Sequence, residues 1–120
     1  MHLLLMFNKN NILKKNWEFQ KILNQKKQIV ETNLIIYFLP SETLKVGIAI
    51  PKQFAKAVER NHYKNQIKAI LRSIPWIEEV NLRCVLIARK SFMHLDFAKK
   101  QESIVRLFER FRKNGKVKEI

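Results

Sequence analysis

Residues 45–72 read K-V-G-I-A-I-P-K-Q-F-A-K-A-V-E-R-N-H-Y-K-N-Q-I-K-A-I-L-R, and the change of pattern halfway along decides the fold. Residues 44–50 are apolar and rich in β-branched side chains, which predicts a strand. Beyond Pro51 the apolar spacing becomes helical and predicts a helix over 55–72, with Val58, Tyr63, Ile67, Ile70 and Leu71 on its buried side. Lys56, Arg60, Lys64, Lys68 and Arg72 recur at every fourth position. At 3.6 residues per turn they form one slowly winding basic stripe, about 24 Å long. Like charges four apart destabilise an isolated helix, and only Glu59 interrupts this run. A polyanion lying along the stripe explains it better than a solvated face, which would interleave Glu.

On the N-terminal side, residues 16–26 predict a helix with Trp17, Phe19, Ile22 and Leu23 apolar and Asn16 as its N-cap. Residues 32–39 read as a strand that turns at Pro40-Ser41-Glu42. On the other side, Ser73-Ile74-Pro75 stops the central helix, and residues 82–88 predict a further strand. A closing helix is predicted over 96–112, capped by Asp96, with Ile104, Leu107, Phe108 and Phe111 as its core stripe. The order is helix, two strands, helix, strand, helix, which is an α+β domain around one sheet.

Composition agrees with a compact polyanion binder. Twenty-four Lys and Arg against 10 Asp and Glu give +14 on 120 residues, with an isoelectric point near 10.2. Such a surface attracts nucleic acid, anionic membrane or acidic protein, and charge alone does not choose among them. At 47% hydrophobic with eight Phe there is enough apolar material for one core, and two Gly and three Pro leave no flexible linker. No apolar run approaches the roughly 20 residues of a spanning helix. The start, M-H-L-L-L-M-F-N-K-N-N, lacks the basic region that precedes a signal peptide's apolar run, so it reads as an extra apolar turn or extension of a cytosolic protein. The single cysteine, Cys84, excludes a disulfide within the chain and reads as a small buried hydrophobe.

Catalytic constellations are missing from the sequence. Asp96 is the one aspartate, so no Asp-rich cluster can hold two metal ions as protein nucleases do. The glutamates are scattered among cations, and His2, His62 and His94 have no Cys partners at zinc spacing. Gly47 stands alone in a strand and makes no phosphate loop. These residues describe a binder. A small RNA- or DNA-binding protein and a module for membranes or acidic partners both remain open on them, and a protein-only nuclease is disfavoured.

The central stretch also resembles a family. V-G-I-A-I-P-K at residues 46–52 and K-A-V-E-R-N-H-Y-K at residues 56–64 are similar to the hallmark strand V-G-(I/L)-(S/A)-V-(S/P)-K and helix K-A-V-x-R-N-R-x-K of the bacterial ribonuclease P protein component. Leu13-Lys14-Lys15-Asn16 with Glu18-Phe19-Gln20-Lys21 resembles that family's opening helix, Leu86-Ile87-Ala88-Arg89-Lys90 its late strand, and Leu107-Phe108 its closing helix. The likeness covers about residues 13–112. The chain departs from it at four places. His62 replaces the second arginine of R-N-R, exchanging a permanent charge for a side-chain type that titrates near neutrality. Asn65 stands where another cation is usual, Leu23 where a second aromatic is common, and Ala55 where glycine is frequent.

The resemblance implies a two-layer α/β sandwich, ribosomal protein S5 domain 2-like, whose mixed sheet contains a βαβ crossover packed by helices. It implies a ribonuclease P protein domain over 13–113, an N-terminal extension over 1–12 and a C-terminal tail over 114–120. The implied function is that of the protein subunit of ribonuclease P, an endoribonuclease whose catalysis resides in its RNA and which removes the 5′ leader of precursor tRNA. Lys52, Lys56, Arg60, Asn61, His62, Lys64 and Lys68 would contact the catalytic RNA, while Phe19, Tyr37 and Lys90 would belong to a cleft for the leader. Aromatic rings suit that task because they stack on unpaired bases without demanding sequence, though Phe19 and Tyr37 could equally pack in a core. Mg²⁺ would be held by the RNA and substrate, with no metal site on the protein. The expected partners are the catalytic RNA and precursor tRNA, with no membrane and no obligate protein partner, and the expected location is cytoplasmic. The alternative is another small basic RNA-binding protein, ribosomal-like, without a role in cleavage.

Overall fold

The computed structural model describes residues 7–112; residues 1–6 of the apolar start and residues 113–120, which hold the last residue of the expected domain and the tail, lie outside the described residues. In chain order the elements are α1 (Asn16–Asn24), β1 (Gln28–Val30), β2 (Leu34–Pro40), β3 (Lys45–Ala49), α2 (Ala57–Arg72), β4 (Leu82–Ala88), a single turn α3 (Lys90–Met93) and α4 (Phe97–Glu109). The strands form one sheet in the order β1-β2-β4-β3. β1 and β2 pair antiparallel, as do β2 and β4, whereas β3 and β4 run parallel. Parallel neighbours need a crossover, and α2 supplies it. The chain is therefore α+β, as the element order implies, with the mixed sheet and βαβ unit that the resemblance implies.

Side-chain alternation explains how the layers form. Leu34, Ile36 and Phe38 of β2 point into the main core, while Ile35, Tyr37 and Leu39 face the other way and are half-buried. β4 lies inside the sheet and is covered in part on both faces, which accounts for its nearly unbroken apolar run. The main core joins this sheet face to Ile67, Ile70 and Leu71 of α2 and to Ile104, Leu107 and Phe108 of α4. Phe111, two residues beyond α4, meets Phe38 edge to face at 5.0 Å. Asp96 caps α4 as expected, its carboxylate accepting the Lys99 N–H at 2.9 Å. Cys84 is wholly buried in this core, and burial pushes its thiol far above the ordinary range, so it packs as an unreactive hydrophobe.

The opposite sheet face is covered only in part. Leu13 and Ile22 pack on Val85 there, with Phe19, Leu23, Tyr37 and Leu39 around them. The chain reaches that position through Phe7, buried in the main core, and through the Leu13 N–H, which donates to the Val46 carbonyl at 2.9 Å.

Several local expectations are corrected. Val58 is 83% exposed, because it lies nine residues, or about two and a half turns, from Ile67 and so faces the other way. Asn16 is the first helical residue rather than the N-cap; Lys15 holds that position without a side-chain bond. α1 stops at Asn24, and Lys26 adopts φ 61°, the left-handed conformation that closes helices. α2 begins at Ala57 because Lys52–Phe54 form a separate 3₁₀ turn. β1 and α3 carried no periodic signal, since three or four residues are too few to display one.

Candidate nucleic-acid interface

α1 leaves one end of the outer sheet face open. Register places Val30, Ile35, Ile87 and Ala49 in one row across the four strands. Val30 is 55% exposed, and the other three are half-buried. A cleft here has a volume of about 530 Å³ and is lined by Ile35 and Ile87 on its floor, Pro51 and Phe54 on one wall, and Thr32, Arg89 and Lys90 on another. The basic rim is held by bonds to the turn between β1 and β2. Arg89 Nη1 donates to the Glu31 carbonyl at 2.8 Å, and Ser91 Oγ donates to the Thr32 carbonyl at 2.9 Å. Lys90, between them, is exposed and forms no ion pair among the described residues.

Phe19 and Tyr37 lie in the adjoining, covered row, where Gln28, Tyr37, Val85 and Gly47 are aligned. Two residues along a strand separate the rows, roughly 7 Å. Both rings are half-buried against the Leu13, Ile22 and Val85 cluster. Gly47 makes the close packing of Phe19 possible: a Cβ there would sit 2.6 Å from Phe19 Cε2 and 2.7 Å from Cζ. The aromatic pair thus stands at the margin of the open cleft, partly packed and partly accessible.

The wall of the cleft leads straight into the basic helix. Pro51 and the Lys52–Phe54 turn connect β3 to α2, so exposed Lys52 lies between the two surfaces. Glu59, the one carboxylate within the stripe, caps its own helix by accepting the Lys56 backbone N–H at 2.9 Å. The three ion pairs of the described residues join Arg106 to Glu102, Arg110 to Glu31 and Arg112 to Glu79. Lys56, Arg60, Lys64 and Lys68 are in none of them, so no carboxylate among the described residues pairs with their charge. Lys56, Asn61 and His62 are exposed, whereas Lys64 and Lys68 are half-buried. Arg60 is also half-buried and donates through Nη1 to the Ala55 carbonyl at 3.0 Å, which fixes the entry to the helix. Arg60, Asn61 and His62 project about 100° apart and so occupy three sides of the first turns.

Behind these turns Lys100 braces α2 against α4. Its Nζ donates to Gln66 Oε1 at 2.9 Å and lies 4.7 Å from the Tyr63 ring centroid. Burial lowers its pKa, and the Asp96 carboxylate opposes that shift. Sequence reasoning missed Lys100, and it missed Ile35, Phe54, Ile87 and Arg89 of the cleft. The apolar ones read as core, and only the coverage by α1 distinguishes an open pleat from a closed one. Among the described residues no group of three or more His, Cys, Asp or Glu could hold a metal ion, and no helix is long and apolar enough to cross a membrane.

Comparison with known proteins meets this geometry. A family model described as Ribonuclease P matches residues 7–112. The ribonuclease P protein component of Mycoplasmopsis pulmonis is 50% identical over 106 residues, spanning 88% of this chain and 95% of that protein. The same component of Mesomycoplasma hyopneumoniae is 46% identical over 106 residues, spanning 87% of this chain and 95% of its own. Among solved structures, the RNase P protein of Thermotoga maritima superimposes with a TM-score of 0.73 at 24% identity, covering 82% of this chain and 94% of that one. The Staphylococcus aureus RNase P protein gives a TM-score of 0.73 at 20% identity, covering 82% and 93%. At that identity the structural likeness speaks to the fold.

Proposed function

Given that the chain belongs to the ribonuclease P protein family, and so serves tRNA processing as the protein subunit of that endoribonuclease, we propose that its two surfaces bind two different RNAs. The open sheet cleft takes the single-stranded 5′ leader of precursor tRNA, with Phe19 and Tyr37 at its margin and Lys90 on its rim. Lys52, Lys56, Arg60, Asn61, His62, Lys64 and Lys68 rest on the catalytic RNA. The observation that carries this reading is the direct passage from the cleft wall at Pro51 and Phe54 into a helix whose cations have no carboxylate partners among the described residues.

The chemistry suits the division. Bases splayed from a single strand can stack on aromatic and apolar side chains for about 1–3 kcal/mol each, without sequence preference. Uncompensated Lys and Arg release counterions on meeting phosphates and hold substrate and catalyst together. Among the described residues no carboxylate cluster could hold Mg²⁺; in this reading the RNA and substrate hold the ions that drive cleavage, and the protein positions the leader and screens its charge. The working location of such a particle is the cytoplasm. Reconstitution tests this reading. With the ribonuclease P RNA of the Mycoplasmopsis relative at low Mg²⁺, the protein should restore leader cleavage that the RNA alone cannot sustain. RNA binding without any stimulation of cleavage would favour the ribosomal-like alternative.

A further inference from the structure

Trp17 is the largest exposed apolar side chain among the described residues, 59% accessible in the first turn of α1. It points about 180° from the mean direction of Phe19, Ile22 and Leu23, the residues that seat α1 on the sheet, so neither core uses it. Lys14 and Lys15 precede it, Lys21 follows one turn later, and Gln20 and Asn24 flank the same outer side; all five are exposed. None of these lysines is ion-paired among the described residues. Trp76, by contrast, is half-buried on the main core beneath the Arg112 guanidinium, 4.6 Å from its ring centroid. An uncovered indole among unpaired cations combines a stacking platform with phosphate contacts, the two requirements for holding an unpaired nucleotide.

We propose that the outer face of α1 is a second nucleotide-binding site, in which Trp17 stacks on an unpaired base of the catalytic RNA while Lys14, Lys15 and Lys21 contact its phosphates. Charge complementarity selects RNA over an apolar protein partner. Position selects the catalytic RNA over the leader: a helix about 10–12 Å thick separates Trp17 from the sheet cleft, so a strand seated in the cleft lies on the wrong side of α1. This proposal rests on the ribonuclease P reading above. It gives the protein two RNA-facing helices, α1 and α2.

Affinity and fluorescence together test it, using the ribonuclease P RNA of the Mycoplasmopsis relative. In a Trp76→Phe background Trp17 is the sole indole, and its emission should be quenched when the RNA is added. Trp17→Ala should weaken binding of that RNA by roughly 5- to 150-fold, and Trp17→Phe should keep most of the affinity. Circular dichroism should be unchanged, because the side chain supports no packing. Normal wild-type binding with unaltered Trp17→Ala affinity would overturn this inference alone. A loss confined to precursor tRNA, with RNA-subunit affinity intact, would also overturn it by assigning Trp17 to the leader. Failure of the wild-type protein to bind the RNA at all would overturn the ribonuclease P reading as well.

Discussion

The hydrogen that Gly47 carries in place of a methyl group lets the edge of the Phe19 ring approach the sheet closely. Gly47→Ala must push the Phe19 ring away, since the new Cβ would fall within 2.7 Å of it. We expect a loss of about 1–3 kcal/mol in urea unfolding, as for other overpacked sites, together with weaker leader binding. Unchanged stability would mean that Phe19 swings freely and does not shape the cleft margin. His62 is a different kind of residue problem. It is exposed on α2 and edge-on to Tyr63 at 5.6 Å, so an arginine fits without repacking. If this position meets phosphate, His62→Arg should tighten binding of the catalytic RNA at pH 7.5 and steepen the log–log salt slope by a little under one. Identical slopes for the two proteins would place His62 outside the RNA contact.

Among the elements, α2 carries the electrostatic account. Alanine at Lys56, Lys64 or Lys68 should each flatten the salt dependence of RNA binding by a little under one, with the fold intact by circular dichroism. Arg60→Ala should also lower the melting temperature, because its bond to the Ala55 carbonyl anchors the helix entry. The brace from α4 gives a pH test. Burial holds the Lys100 pKa below its unfolded value of about 10.4, so the charged form costs folding energy at neutral pH, and that cost fades as pH rises toward the unfolded value. The wild type should therefore gain stability relative to Lys100→Met as the pH is raised from neutrality toward the unfolded value; a pH-independent difference would show that Lys100 titrates alike in both states. Much of this element was readable in advance. Its four-residue cationic period, its stop before Pro75 and its buried Ile67, Ile70 and Leu71 all follow from helical geometry. Val58 was misplaced because its hydrophobicity was weighed without its angle, and Lys100 stayed hidden because its partners Tyr63 and Gln66 lie more than thirty residues away.

In the whole molecule, strand alternation announces two apolar faces on β2 and β4, but it does not say how far a nine-residue helix reaches across one of them. The cluster under α1 is centred on the Tyr37 row and reaches the Ile35 row only at half-buried Ala49 and Ile87, and that incomplete cover leaves the cleft. The family motifs located the basic helix and the rim lysine, while the floor at Ile35 and Ile87 emerged only from tertiary packing. If this open face holds the leader, which mature tRNA lacks, discrimination between the two tRNAs is the property to measure. Phe54 and Lys90 line the cleft without entering the main core. The reconstituted holoenzyme carrying Phe54→Ala and Lys90→Ala together should bind precursor tRNA roughly 5- to 150-fold more weakly, from lost stacking and phosphate contact, with mature tRNA affinity nearly unchanged. Equal losses for precursor and mature tRNA, or no loss for either, would contradict the assignment of the cleft to the leader.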